Sequence, residues 1–266
     1  MTTITFAPSS PFHPIAALLA RERRLAIYGF ILLALVLPMA IAAGLDHRTL
    51  RGADVWIKPM KFAWSIALLA LTTAWFAGHL PDHVRKGRPM DRIVWLLVGA
   101  GSFELGYIAL QAALGQGSHY NVQDPLHAAM YAAMGIGALI LTATQPMLAW
   151  QLWRHPDHSR PIAVRLAILI GLVLTFVFGA GIGGILANIQ PSSGGATVPL
   201  FGWSLGGGDL RPAHFVGIHA EQVLPLVGLA ATRLDPRAAK TAVWVATLLY
   251  AGLFALLVTW GLPART

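Results

Sequence analysis

Long apolar blocks separated by short polar segments run through almost the whole chain. A helix needs roughly 20 consecutive apolar residues to cross the hydrocarbon core of a bilayer. Seven stretches meet this requirement, at residues 25–45, 56–79, 93–115, 125–149, 164–188, 213–231 and 241–261. The sixth is the least apolar, because it contains His214, His219 and Glu221. The pattern predicts an all-α polytopic membrane protein, folded as a bundle of seven transmembrane helices.

Composition narrows the class of protein further. Of the 266 residues, 56% are hydrophobic and 11% are charged, whereas a soluble domain has about 25% charged residues. These values exclude a disordered chain and an ordinary soluble globule. The apolar blocks are continuous, which excludes an outer-membrane barrel, because its strands alternate between apolar and polar residues. The chain has no cysteine, so thiolate metal sites, disulfides and thiol catalysis are excluded as well.

The formal net charge is +8, and the positions of the basic residues predict the topology. If the N-terminus is cytoplasmic, 13 of the 19 Lys and Arg residues lie in or beside cytoplasmic loops, and six lie on the other side. Basic residues favour cytoplasmic loops, so we expect a cytoplasmic N-terminus and a periplasmic C-terminus. The loops explain the charge, and no nucleic-acid partner is expected. Short loops and an Ala-, Gly-, Leu- and Arg-rich composition indicate a bacterial inner membrane.

The chain divides into three parts in this interpretation. Residues 1–24 form an interfacial lead-in, residues 25–261 a single membrane domain, and residues 262–266 a short tail. The outer loop at 189–212 is rich in glycine, and a loop of that length is usually functional or mobile. In the fifth stretch, Gly179-x-x-x-Gly183 and Ala180-x-x-x-Gly184 predict close packing of helices.

Polar side chains gather toward the outer face once the orientation is fixed. Ionisable groups inside a bilayer are costly and usually face the interior of a bundle, so each is a candidate functional residue. The candidates are Lys58, Lys61, Glu104, Gln111, His119, His127, Arg211, His214, His219, Glu221 and Gln222. Four of the ten histidines belong to this group, which makes them the strongest functional signal in the sequence.

The spacing of the histidines limits what they can bind. In a regular helix, His214 and His219 differ by about 7.5 Å of rise and about 140° of rotation. They are therefore not expected to bind one small ion together, and we expect separate roles for them. Three- and seven-residue spacings place His219 on one face with Gln222, and His214 on one face with Glu221.

A haem site is the leading hypothesis. Haem iron accepts neutral imidazole, and helix bundles are common sites for cofactors. The preferred axial pair is His127 with His219, and the second is His127 with His214. Lys58, Lys61 and Arg211 would bind the propionates, while Gln111 and Gln222 would line the site. Glu104, His214 and Glu221 would handle protons. This hypothesis describes a haem b protein that exchanges electrons with a quinol or another lipid-soluble substrate.

Three alternatives stay open on the sequence alone. The four histidines with Glu104 or Glu221 suit a non-haem Fe, Cu or Zn site in an oxidase or a hydrolase. The same polar residues could instead form a proton path or a pocket for a quinone headgroup, or only interhelical hydrogen bonds. Finally, the chain could be a non-catalytic subunit that packs in the lipid bilayer against its own copies or within a larger membrane complex.

Overall fold

The computed structural model describes residues 13–50, 52–190, 196–198, 201–204 and 206–262. Its helices are α1 Pro14–Arg21, α2 Arg23–Leu45, α3 Ile57–Ala77, α4 Asp82–Arg85, α5 Arg88–Ala113, α6 Pro125–Arg154, α7 Ile162–Leu186, α8 Arg211–Ile218, α9 Ala220–Ala230 and α10 Pro236–Gly261. An antiparallel hairpin of β1 Thr49–Leu50 and β2 Ala53–Asp54 lies between α2 and α3, and a 3₁₀ turn, Ala231–Arg233, follows α9.

Six of the described helices (α2, α3, α5, α6, α7 and α10) are long and apolar enough to cross a membrane. Helices α8 and α9 make a seventh span if the bent pair is counted as one. The chain therefore has the helices of a multi-pass membrane protein. The predicted sixth span is not a regular helix, since it breaks at His219 with a bend of 49°.

The seven segments alternate in direction, so each end of the bundle collects its own loops. We call the end with residues 46–50, 52–56, 114–124, 201–204 and 206–210 the histidine end. The opposite end, with residues 78–87, 155–161 and 231–235, is the arginine end. Helix α1 lies at the arginine end against α2 and α3, where the Arg21 guanidinium donates a hydrogen bond of 2.8 Å to the carbonyl of Trp75. The described part of the predicted lead-in is thus a short helix packed on the bundle.

Neighbouring helices enclose an interior. Helix α3 packs against α2 and α5, α6 against α5 and α7, α7 against α8 and α9, and α10 covers α7, α8 and α9 from outside. The Gln222 side chain on α9 donates to the Thr72 hydroxyl on α3 at 3.2 Å, which joins the two sides of the interior. Fully buried leucines such as Leu97, Leu148 and Leu172 fill its arginine-end half. The polar candidates are left in the middle and the histidine-end half.

Glycines bring α7 close to the broken helix. A Cβ on Gly179 would lie 2.8 Å from Cγ2 of Ile218, and a Cβ on Gly171 would lie 2.9 Å from the carbonyl oxygen of Ala220. A Cβ on Gly183 would lie 3.5 Å from Nε2 of His214, whereas one on Gly184 would meet nothing within 4 Å. The predicted close packing is confirmed for Gly179, whereas Gly183 makes an ordinary contact and Gly184 has no neighbour within 4 Å among the described residues, so its packing role stays a prediction.

Candidate functional site

His119 lies in the loop between α5 and α6, inside the histidine end. Its ring stands 6.0 Å from the ring of Phe62 and 5.8 Å from the ring of Tyr131. The Ser118 hydroxyl lies 3.2 Å from His119 Nδ1 and accepts a 2.9 Å hydrogen bond from the Lys58 ammonium. Burial, together with the positive charge of Lys58, lowers the pKa of His119 to about 3. The imidazole is therefore neutral at pH 7, the form that binds a metal.

His127 has a different environment in the first turn of α6. Asp124 caps this helix by accepting the backbone N–H of His127 at 3.0 Å. The same carboxylate lies 2.6 Å from the ring Nδ1, and Oε1 of Gln116 lies 3.1 Å from Nε2. The pKa of Asp124 is lowered mainly by the hydrogen bond from the His127 backbone N–H, and next by the hydrogen bond from the His127 ring. Both ring nitrogens of His127 are thus already bound to acceptor oxygens. Its predicted role as an axial ligand stays a prediction, and binding a metal through Nε2 would require the contact with Gln116 to break.

The break at His219 is supported by side chains from two neighbouring helices. The Thr175 hydroxyl on α7 accepts the backbone N–H of Glu221 at 3.0 Å and lies 3.5 Å from the carbonyl of Ile218. The Tyr250 hydroxyl on α10 donates to the carbonyl of Val216. Pro225 in α9 has no N–H to donate to the carbonyl four residues earlier, which weakens the helix at this point. In membrane proteins, irregular backbone that is supported in this way often marks a binding site.

The side chains at the break form a hydrogen-bonded chain. His219 Nδ1 lies 3.1 Å from Oε1 of Gln222, and because that oxygen only accepts, the ring donates through Nδ1. The amide nitrogen of Gln222 donates to Oε1 of Glu221 at 2.9 Å and to Thr72. The predicted shared face of His219 and Gln222 is confirmed. In the neutral ring, Nε2 of His219 carries the lone pair, and the structure describes no hydrogen bond for it.

His214 lies on α8, five residues before the break and on its histidine-end side. Its Nε2 faces Gly183 on α7, and the structure describes no hydrogen bond to its ring. His219 lies five residues further along the chain, at the bend. Because the helix bends between the two residues, their relation is no longer the one that a regular helix would impose.

Buried polar atoms without a hydrogen-bond partner continue the site along the interior. Glu221 is fully buried and Glu104 is 1% exposed, yet one carboxyl oxygen of each has no partner in the described structure. Further atoms of this kind belong to four interior side chains, Thr73, Tyr107, Gln111 and Gln145. Water, a proton or a ligand group is the usual partner of such atoms. The set runs from the histidine-end half of α5 through the middle of the bundle to α3 and α6 near the arginine end.

The predicted cations occupy the rim of the histidine end. The Lys61 ammonium donates to the carbonyl of Phe201 at 2.9 Å. Arg211 donates to the fully buried Asp209 through Nε and Nη2, at distances of 2.6 to 3.0 Å. Burial alone would raise the pKa of Asp209, but hydrogen bonds from Arg211 and from the Ser204 backbone hold it below its usual value. Arg211 is therefore committed to an internal ion pair, while the described hydrogen bonds of Lys58 and Lys61 run to the Ser118 hydroxyl and to the Phe201 carbonyl.

Nothing brings the four histidines to one point in the described part of the chain. Among those residues, no group of three His, Asp or Glu side chains is placed to hold a metal ion. His119 belongs to the α3–α5–α6 side, while His214 and His219 belong to the α7–α8–α9 side. His127 lies apart in its own hydrogen bonds. Glu104 and Glu221 are both interior, as predicted.

Sequence reasoning missed several residues of the site. Thr175 had a clear signal, because it is the only polar side chain between Arg165 and Asn188. Pro225, placed four residues after Glu221, was a signal for the break. Ser118 and Asp209 carried no such signal, since short polar residues in a loop are common.

Comparisons with family models, curated proteins and solved structures gave no match. The argument for function therefore depends on the geometry of these residues.

Proposed function

We propose that this chain is a membrane-embedded haem-binding redox protein that exchanges electrons with a quinol or another lipid-soluble substrate. The observation that carries the proposal is His219 at the helix break. Its Nδ1 is fixed by Gln222, and its Nε2 has no described partner. A second hydrogen bond of this kind, which fixes the tautomer and orientation of the ring, is typical of metal-ligating histidines.

The described hydrogen bonds favour a different pair of iron ligands from His127 and His219, the pair that the sequence favours. Haem iron needs one or two protein ligands, and His219 would supply one of them. His119 or His214 would supply a second, because each ring has a nitrogen without a described hydrogen bond. Lys58 and Lys61 suit the propionates, since an ammonium has three donors and prefers a carboxylate to a neutral oxygen. Arg211 is less suited, because Asp209 already holds it.

When bound, haem would supply one-electron transfer. The chain itself handles the protons that a quinol releases with its electrons. Glu221 can take a proton on its unpartnered oxygen while Gln222 holds the other oxygen at 2.9 Å. Glu104, on α5, offers a second carboxyl oxygen of this kind. Carboxyl groups in such positions are suited to general acid–base work.

The number of spans and the orientation of the chain belong to the same proposal. We infer that α8 and α9 together cross the membrane, which gives seven spans, a cytoplasmic N-terminus and a periplasmic C-terminus in a bacterial inner membrane. The histidine end then faces the periplasm, and the arginine end, with the basic loops, faces the cytoplasm.

Visible spectra of the detergent-purified protein test this function. We expect a Soret band, reduced haem peaks after dithionite, and iron near one atom per chain. His219→Ala should lose the spectrum, and added imidazole should restore part of it. The matched control is His127→Ala, which should keep the spectrum because its ring nitrogens are bound to Asp124 and Gln116.

The other outcomes separate the remaining hypotheses. Loss of the spectrum in both variants would support the pair of His127 and His219 that the sequence favours. Stoichiometric zinc, copper or iron without a Soret band would support a non-haem metalloenzyme. A colourless, metal-free protein that stays colourless after reconstitution with haemin would reject the haem proposal and favour a quinone pocket, a proton path or an accessory subunit.

A further inference from the structure

Two adjoining surface grooves lie at the arginine end, far from the histidines. Each has a volume of about 570 Å³, and Arg92 lines both. The first runs along α5 past Arg88 and Trp95, and the second runs between α5 and α6. Nothing in the proposed redox function uses this surface.

The part of the grooves nearest the arginine end of the bundle is cationic. Arg88 and Arg92 are one helical turn apart on α5, so their side chains lie on the same face. The structure describes no side-chain hydrogen bond or ion pair for either guanidinium. Asp91, which also lines the first groove, is already paired with Arg24 at 2.6 Å. Two guanidiniums without a described carboxylate partner therefore face the surface together.

The part of the grooves nearer the middle of the bundle is mainly apolar. Ile93, Ala143 and Met147 line the second groove between α5 and α6. Trp95 lines the first groove and is 65% exposed, and Trp150 lines the second groove and is 51% exposed. Exposed tryptophans are typical of the membrane interface. From Arg88 to Trp95 the helix rises about 10.5 Å, which is the direction from a headgroup toward its acyl chains.

We propose that these grooves bind an anionic phospholipid such as phosphatidylglycerol. The phosphate binds Arg88 and Arg92, because a planar guanidinium matches the geometry of phosphate oxygens. An acyl chain lies along the partly exposed Ala143, Pro146 and Met147 of α6. Charge complementarity selects a phosphate, and these apolar side chains select a lipid over a free phosphate ion. This site is independent of the haem proposal, and its test needs no redox activity.

Native mass spectrometry of the full chain in detergent tests the lipid site. The probes are dioleoyl phosphatidylglycerol and dioleoyl phosphatidylcholine, which differ only in the headgroup, and inorganic phosphate as a competitor. We expect the wild type to prefer phosphatidylglycerol and millimolar phosphate not to displace it. The double variant Arg88→Gln/Arg92→Gln should bind this lipid at least about tenfold more weakly.

A matched control removes the same charge from the same end of the molecule. Arg233 and Arg237 are also four residues apart, exposed, and outside the grooves. Arg233→Gln/Arg237→Gln should bind phosphatidylglycerol within about twofold of wild type. Arg92→Lys keeps the charge but loses the planar guanidinium, so it should bind this lipid with intermediate strength. Equal weakening in the two double variants, equal binding of the two lipids, or displacement by phosphate would overturn the proposal. So would a dimer that only Arg88→Gln/Arg92→Gln abolishes, because the occupant would then be a second copy of the chain.

Discussion

At the scale of single residues, the free ring nitrogen decides which histidine can act. An imidazole binds a metal through a nitrogen that makes no other bond. His127 is bound at both nitrogens, whereas His219 is fixed at Nδ1 and has no partner at Nε2 among the described residues. Counting histidines along the chain cannot distinguish these cases. The distinction depends on Gln116, Asp124 and Gln222, which reach the rings only in the folded protein.

Glu104 offers a sharp test of proton handling at this scale. A Cβ on Gly137 would lie 2.6 Å from Oε1 of Glu104, so Gly137→Ala must displace the carboxyl while leaving the helix intact. Glu104 is a flexible side chain, and alanine is the better helix former, so we expect the thermal midpoint to stay unchanged or to rise. Reduction of the bound haem by a short-chain quinol should slow by at least about tenfold, as expected for loss of a general acid or base.

Gly135→Ala is the control for this change. It lies on the same helix, and its Cβ would meet nothing within 4 Å. Stopped-flow reduction rates and thermal midpoints of both variants make the comparison. Equal rates in the two variants would show that the position of the Glu104 carboxyl does not matter for electron exchange.

At the scale of elements, the apolar blocks predicted the helices well, but they could not predict the break. Hydrophobicity sets where a span begins and ends, because lipid rewards every buried apolar residue alike. The break depends on Pro225, on close contact with the glycines of α7, and on one hydroxyl of α7. Such tertiary contacts leave little trace in the hydropathy of a 19-residue stretch. Consequently, the sequence can name polar candidates on these helices, but their hydrogen-bond partners follow only from the fold.

Thr175→Val tests the support of the break. Valine has the shape of threonine without the hydroxyl, so the backbone N–H of Glu221 loses its 3.0 Å acceptor inside the bundle. We expect the variant to lose about 1–3 kcal/mol of stability, the cost of an unsatisfied buried donor. Unfolding in mixed micelles with increasing SDS measures the change.

Thr247→Val is the matched control on α10. Thr247 is also buried, but its hydroxyl donates to Val243 of its own helix at 2.8 Å. Because that carbonyl belongs to a regular helix, we expect a loss below about 1 kcal/mol. A loss in Thr175→Val no larger than the loss in Thr247→Val would mean that the Thr175 hydroxyl does not support the break.

At the scale of the whole molecule, the two ends differ in chemistry. The arginine-end half of the interior is filled mainly by apolar side chains, while its surface carries Arg88 and Arg92 of the proposed lipid site. The middle and the histidine-end half hold the buried carboxyls and the open imidazoles. Such a division suits a protein that is anchored by anionic lipids on one side and that reacts near the other side. The orientation of the bundle therefore decides on which side of the membrane the proposed redox chemistry would take place.

Cysteine labelling can determine this orientation directly, because the chain contains no cysteine of its own. His47 at the histidine end and Ser159 at the arginine end are both exposed. Basic loops are retained in the cytoplasm, so in bacterial spheroplasts a membrane-impermeant maleimide should label His47→Cys at once. It should label Ser159→Cys only after the membrane is permeabilised. The reverse pattern would place the histidine end in the cytoplasm, and the electron partner would then have to be sought on that side.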